Sequence, residues 1–239
     1  MDSTERHVFN HLQTRNFSSI EYEPDGNIPP DFLVDGKVAI EVRRLNQHHF
    51  SQNNIKGLEE VAIPLWQRVT NFIEHFSPPI DEESWFVNFT FSRPVPKWKK
   101  LEPLLQSALE QFCNSPIKTP TVLIQTLGIH LEVFHKASKK HSTMFLMGAY
   151  IDKQSGGLVL SEMEKNIIHC SDEKSLKIAN FKSNYYEWWL ILVDHIGYGL
   201  DELNISQFNE YVTIKHSWDK IIIIDPLNEN IWFEIENKK

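Results

Sequence analysis

Two short apolar runs do most to limit what this chain can fold into. Residues 188–194 and 220–225 are continuous in large apolar side chains, and each run ends in an aspartate. They have the length of buried strands, whereas a bilayer span takes about 18 apolar residues or more. Around them the pattern switches between helix and strand periods. Residues 3–13 put Val8, Phe9 and Leu12 on one helical face, with Ser3 or Thr4 as the N-cap. Residues 57–76, 97–114 and 160–180 carry further helical patterns. Strands are expected at 18–22, 31–34, 37–45, 84–92, 120–125, 129–135, 143–151 and 230–236. Residues 46–56, polar and rich in Asn, Gln and His, read as a loop. This mixture predicts α/β or α+β architecture with a mixed central sheet. The 239 residues are expected to form a single domain, with a motif region over 3–80 and an elaboration over 81–239 that completes the sheet.

The formal net charge is -8, which argues against a nonspecific coat for nucleic acid. Local basic clusters remain at Arg43-Arg44, at Lys97, Lys99 and Lys100, and at Lys136, Lys139 and Lys140, and phosphate contacts are made by patches rather than by the average. Cys113 and Cys170 lack the close spacing of a zinc knuckle or a disulfide framework. With no apolar leader at the start and no membrane-length run, the chain is expected to be cytoplasmic, with no membrane partner.

The chemistry concentrates early in the chain. Asp31 follows two prolines and opens a strand. In the next strand Val38, Ile40 and Val42 share one face, so Ala39, Glu41, Arg43 and Leu45 share the other. A carboxylate flanked by Ala and Leu is partly covered and needs a partner, because an unpaired buried charge is costly. Glu5 stands at i, i+4 and i+7 with Phe9 and Leu12, on the apolar stripe of its helix. Three carboxylates that each need a cation can share one. Magnesium or manganese takes such hard oxygen ligands, and an ion of this kind activates water and stabilises a phosphoryl transition state.

Hairpin register tests the idea. A two-residue loop, Asp35-Gly36, sets Asp31 opposite Ile40 and turns it away from Glu41. A three-residue loop, Val34-Asp35-Gly36, sets Asp31 opposite Ala39 and on the Glu41 face, with Gly36 as the left-handed residue. A paired site therefore requires an odd loop or a β-bulge.

A helix with Glu5, a strand, Pro30-Asp31, a hairpin and then Glu41-Val42-Arg43 resembles the PD-(D/E)XK restriction-endonuclease-like superfamily. The resemblance covers residues 3–47, about a fifth of the chain. It implies an α/β fold, a mixed central sheet flanked by helices, as a restriction-endonuclease-like core with additional strands and helices. It implies that Asp31 and Glu41 hold magnesium or manganese, that Glu5 assists as a metal-site residue, and that the Val42 carbonyl is a further ligand. Hydrolysis of phosphodiester bonds in nucleic acid, DNA first, is the activity it implies. The family pattern has Lys where this chain has Arg43. Arginine keeps its proton and is a poor base, yet it can stabilise charge on a phosphate. Arg44 and Gln47 are expected to touch the nucleic acid. The alternative is a catalytically inactive relative that binds nucleic acid, a protein partner or a second copy of itself.

Other polar residues have plainer readings. His48-His49 are loop residues, since adjacent side chains rarely converge on one ion. Asp194 and Asp225 end apolar strands and form turns, although sites often gather at strand ends in α/β sheets. Tyr185, Tyr186, Trp188 and Trp189 can stack on bases, but packing before a buried strand explains them as well.

Overall fold

The computed structural model describes residues 1–51 and 54–237. In chain order the elements are α1 (Ser3–Gln13), β1 (Ile20–Tyr22), β2 (Phe32–Val34), β3 (Val38–Leu45), β4 (His48–Ser51), β5 (Asn54–Gly57), α2 (Glu59–Glu74), β6 (Trp85–Phe91), α3 (Trp98–Cys113), β7 (Thr121–Thr126), β8 (Ile129–Lys136), β9 (Phe145–Asp152), α4 (Val159–Ile178), β10 (Glu187–Asp194), α5 (Glu202–Tyr211), β11 (Lys220–Asp225) and β12 (Asn228–Glu234). The protein is α/β, with a large mixed sheet flanked by helices. Among the described residues no helix is long and apolar enough to cross a membrane.

The chain divides into two compact units. One unit comprises residues 1–50 and 156–239; the other is residues 51–155. The physical reason is that the second unit buries a core of its own, which periodicity along the chain cannot reveal.

In the first unit six strands run in the order β1-β2-β3-β10-β11-β12. The central three, β3, β10 and β11, are mutually parallel, and the outer pairings are antiparallel. Both apolar runs sit at this centre. Leu190, Leu192, Ile221 and Ile223 pack with Met163, Ile167 and Cys170 of α4 on one face. Ile191, Val193, Ile222 and Ile224 pack with Val8 and Leu12 of α1 on the other. Covered on both faces, such strands have no polar alternation to show.

The N-terminal helix spans Ser3–Gln13, as the periodicity predicts, but its cap is the residue before Ser3. Asp2 is the N-cap, and its side chain accepts the Glu5 backbone N–H while Glu5 accepts the Asp2 N–H. Residues 46–56, expected to be a loop, contain the short strands β4 and β5; residues 52 and 53 lie outside the described residues. Helix α5 falls where periodicity predicts nothing, because Phe208 is its one fully covered residue.

The second unit is a four-stranded sheet, β7-β8-β6-β9, with β6 antiparallel to β8 and parallel to β9. Val87, Phe89, Phe91, Leu131 and Val133 point from one face into a core closed by Leu65, Val69 and Ile73 of α2 and Leu101, Leu105 and Leu109 of α3.

Candidate functional site

The hairpin between β2 and β3 sets the site. Val34 pairs with Val38 and Phe32 with Ile40, so the loop is Asp35-Gly36-Lys37. The loop is odd, as a paired site requires, but it sits one residue later than Val34-Asp35-Gly36. Asp35 and Gly36 both take positive φ, 51° and 66°, and the Lys37 N–H closes the turn on the Val34 carbonyl at 3.0 Å. Extending this register sets Asp31 across from Glu41 rather than from Ala39. The Asp31 N–H bonds the Ile40 carbonyl, and its Oδ2 accepts the Val42 N–H at 2.7 Å. That second bond fixes the carboxylate against the next strand.

On β3 the face Ala39-Glu41-Arg43-Leu45 turns toward α4, as the alternation predicts; Ala39 and Leu45 lie in the same core as Met163 and Ile167. Glu41 is fully buried on this face. Its partners come from α4. Lys174 Nζ lies 2.5 Å from Glu41 Oε2 and 3.5 Å from Asp31 Oδ2. Lys177 Nζ lies 3.0 Å from Glu41 Oε2 and 3.8 Å from Asp31 Oδ1. Two carboxylates and two ammonium groups thus form one network whose formal charges cancel. Burial alone would pull Lys177 down, but the hydrogen bond and charge of Glu41, with the charge of Asp31, lift it above the ordinary lysine value.

The lysines escape a motif reading centred on residues 31–43. The signal is nevertheless present in the helix: Met163, Ile167, Cys170, Lys174 and Ile178 recur at helical spacing and are all buried, so a lysine occupies a core position of α4. A buried lysine demands a carboxylate.

Arg43 shares the Glu41 face but reaches along α4, where its Nη2 pairs with Glu173 Oε2 at 2.9 Å. Burial pushes the thiol of neighbouring Cys170 up to about 11, with the Arg43 charge pulling the other way. Glu5 is engaged elsewhere: its Oε2 accepts from the Asp2 N–H and from the Tyr22 hydroxyl at 3.0 Å. Among the described residues no three His, Cys, Asp or Glu side chains gather as they would around a metal ion, so Glu5 is not brought into a trio with Asp31 and Glu41. Arg44 alternates to the opposite face of β3, where its charge acts on His195. The Gln47 amide closes on the Gly156 backbone, donating to its carbonyl and accepting its N–H, both at 3.0 Å. His48 is buried, with Nδ1 at 2.9 Å from both the Asn46 carbonyl and Asn166 Oδ1.

Asp194 and Asp225 end adjacent parallel strands, and both are buried. Asp194 Oδ1 accepts the N–H groups of Ile196 and Gly197 at 2.8 and 2.9 Å. Burial raises its carboxyl above the usual aspartate value, the Asp225 charge adds to the rise, and these backbone bonds oppose it. A carboxyl raised in the folded state binds its proton more tightly there, so stability falls as pH rises from the ordinary aspartate range through the raised value. Asp194→Asn, which keeps the Oδ1 acceptor, is expected to be more stable than the parent at pH 7, with the advantage shrinking as pH falls toward 4. Urea midpoints from pH 4 to 7 check this; an advantage that grew on acidification would reverse the sign. His195 next to it is pushed down to about 4 by burial, then by the charges of Arg44 and His7, and is neutral at pH 7.

Compared with known proteins, the chain matches no family model, no curated protein and no solved structure.

Proposed function

We propose that the protein hydrolyses phosphodiester bonds in nucleic acid, DNA first, with a divalent metal held by Asp31 and Glu41. The observation that carries the reading is that carboxylates from two antiparallel neighbours meet the same ammonium nitrogen within 3.5 Å. A position where two carboxylates converge on one cation suits a hard divalent ion, whose ligands are oxygens. Asp31 Oδ1 and Glu41 Oε1 would hold such an ion, with Asp31 Oδ2 staying on the Val42 N–H and Lys174 staying on Glu41 Oε2. Magnesium or manganese bound there supplies Lewis acidity and an activated water. Lys174, not Arg43, takes the place of the family's lysine beside the carboxylates: its ammonium is near enough to hold a water or a phosphate oxygen. Lys177, about half exposed, offers a second cation to the substrate backbone. Arg43, paired with Glu173, holds α4 against β3 and is a positioning residue.

Supercoiled plasmid, linear duplex, single-stranded DNA and RNA, each with magnesium or manganese, test this. Cleavage is expected to need the metal and to fall by about 100-fold or more in Asp31→Ala, Glu41→Ala and Lys174→Ala, while Arg43→Lys retains it. Activity that survives in Asp31→Ala and Glu41→Ala would sink the reading. A second reading, a binding protein without catalysis, is favoured by one observation: the two lysines already pair with both carboxylates. It predicts nucleic-acid binding indifferent to the metal and no cleavage of any of the four substrates.

A further inference from the structure

On the face of the first unit's sheet opposite Glu41, a cavity of about 140 Å³ lies between the end of α1 and strands β10–β12. The strand registers build it. Trp189 of β10 pairs with Lys220 of β11, and across the next pairing Ile222 meets Glu234 and Ile224 meets Trp232. Alternation then puts Trp189, Lys220, Trp232 and Glu234 on the α1 side. Phe17, beyond α1, completes the aromatic wall, with its ring centroid 6.3 Å from that of Trp189. The cations are stacked on this wall. The Arg15 guanidinium lies 3.8 Å from the Trp232 ring centroid, and Lys220 Nζ lies 5.0 Å from that of Trp189.

We propose that this cavity binds one planar six-membered ring carrying an anionic group. Size and charge argue for that class. An apolar cavity of about 150 Å³ accepts benzene, so the space here takes one ring and not a fused pair. Aromatic walls favour a ligand with a π face of its own, and the guanidinium plane, stacked on Trp232 by one side, offers its other side to such a ring. Lys220 is partly offset by Glu234 at 3.3 Å, and His11, held by the Glu229 carbonyl at 2.8 Å, has its pKa lowered by burial. Arg15, Lys220 and Glu234 therefore sum to one positive charge, which favours an anionic ligand over a neutral one. A free aromatic carboxylate and a pyrimidine nucleotide share this chemistry.

Titration of the full chain with benzoate, uridine 5′-monophosphate and cyclohexanecarboxylate, by calorimetry and tryptophan fluorescence, tests the proposal. At least one of the two aromatic anions is expected to bind saturably with a dissociation constant of roughly 1 mM or tighter. Which of them binds separates a carboxylate source from a nucleotide source. Arg15→Ala and Lys220→Ala are expected to weaken binding about tenfold each. Trp232→Phe should retain most of it and Trp232→Ala little, with thermal midpoints showing that each variant is folded. The cyclohexane ring, lacking a π face, should bind several-fold more weakly than benzoate. No saturable binding of either aromatic anion by about 10 mM, or binding that Arg15→Ala and Lys220→Ala leave unchanged, would overturn the assignment.

Discussion

Lys174→Met is expected to cost about 3 kcal/mol of folding stability, measured as a shift of the urea midpoint at constant slope. The side chain it removes holds a fully buried carboxylate at 2.5 Å. Removing one member of a buried ion pair costs about 3–5 kcal/mol, because the remaining charge stays desolvated and unpaired. The lower end applies because Lys177 remains at 3.0 Å from Glu41. The double variant Glu41→Leu with Lys174→Met removes both charges and is expected to recover stability to within about 1 kcal/mol of the parent, since apolar replacement of a buried pair is often neutral or better. Equal losses in the single and double variants would show that the ion pair is not what the single change breaks. A linked measurement bears on the proposed activity. In Lys174→Met, magnesium has less competition for the carboxylates, so millimolar magnesium should raise the midpoint of this variant more than that of the parent.

Trp188→Ala is expected to cost about 4 kcal/mol, roughly a quarter or more of the stability of an ordinary domain. Trp188 is among the largest fully buried side chains, on β10 between two parallel neighbours, in the core that α4 and α5 close. Its loss combines a transfer term with a cavity that rigid strands on both sides cannot collapse. It also strands the Lys182 carbonyl, which accepts the indole N–H at 3.1 Å. Trp188→Phe, which fills much of the volume, should cost distinctly less. A loss below about 1 kcal/mol in the alanine variant would mean that the core tolerates a large void, contrary to close packing.

What the amino-acid sequence reveals here depends on whether the determining contacts are local. Helix α1 and strand β11 match the periodicity to the residue, because both are amphipathic or uniformly buried along their whole length. The face that carries Glu41 and Arg43 follows from alternation alone, and the odd loop follows from demanding that Asp31 share it. The loop's place, one residue later, was not legible: Val34 and Lys37 can each end a strand, and burial of Val34 under α1 decides between them. Arg43 looked like the site's cation because it is two residues from Glu41. The cations that reach Glu41 come from α4, more than a hundred positions away, and a helix-to-sheet contact leaves no spacing in the chain. Glu5 lies on the stripe that periodicity assigns, but Asp2 and Tyr22 satisfy it locally, and a competing local partner is invisible to a pattern of apolar residues. The two-unit division was hidden for the same reason as the lysines: it is a property of which strands find each other.

Strand β3 waits for its neighbour through the whole of synthesis between residues 41 and 190, which pair in the finished sheet. At about 5–20 residues per second, that interval lasts roughly 7–30 s. Residues 51–155 emerge during it and form a unit continuous in sequence, whose sheet and two helices can close before β10 exists. The first unit cannot close until later, so its nascent half presents Ile40, Val42 and an unpaired strand edge to the ribosome's surroundings for that time. A chaperone that holds exposed apolar strands would therefore meet this chain early, and slower codons after residue 155 would lengthen the exposure.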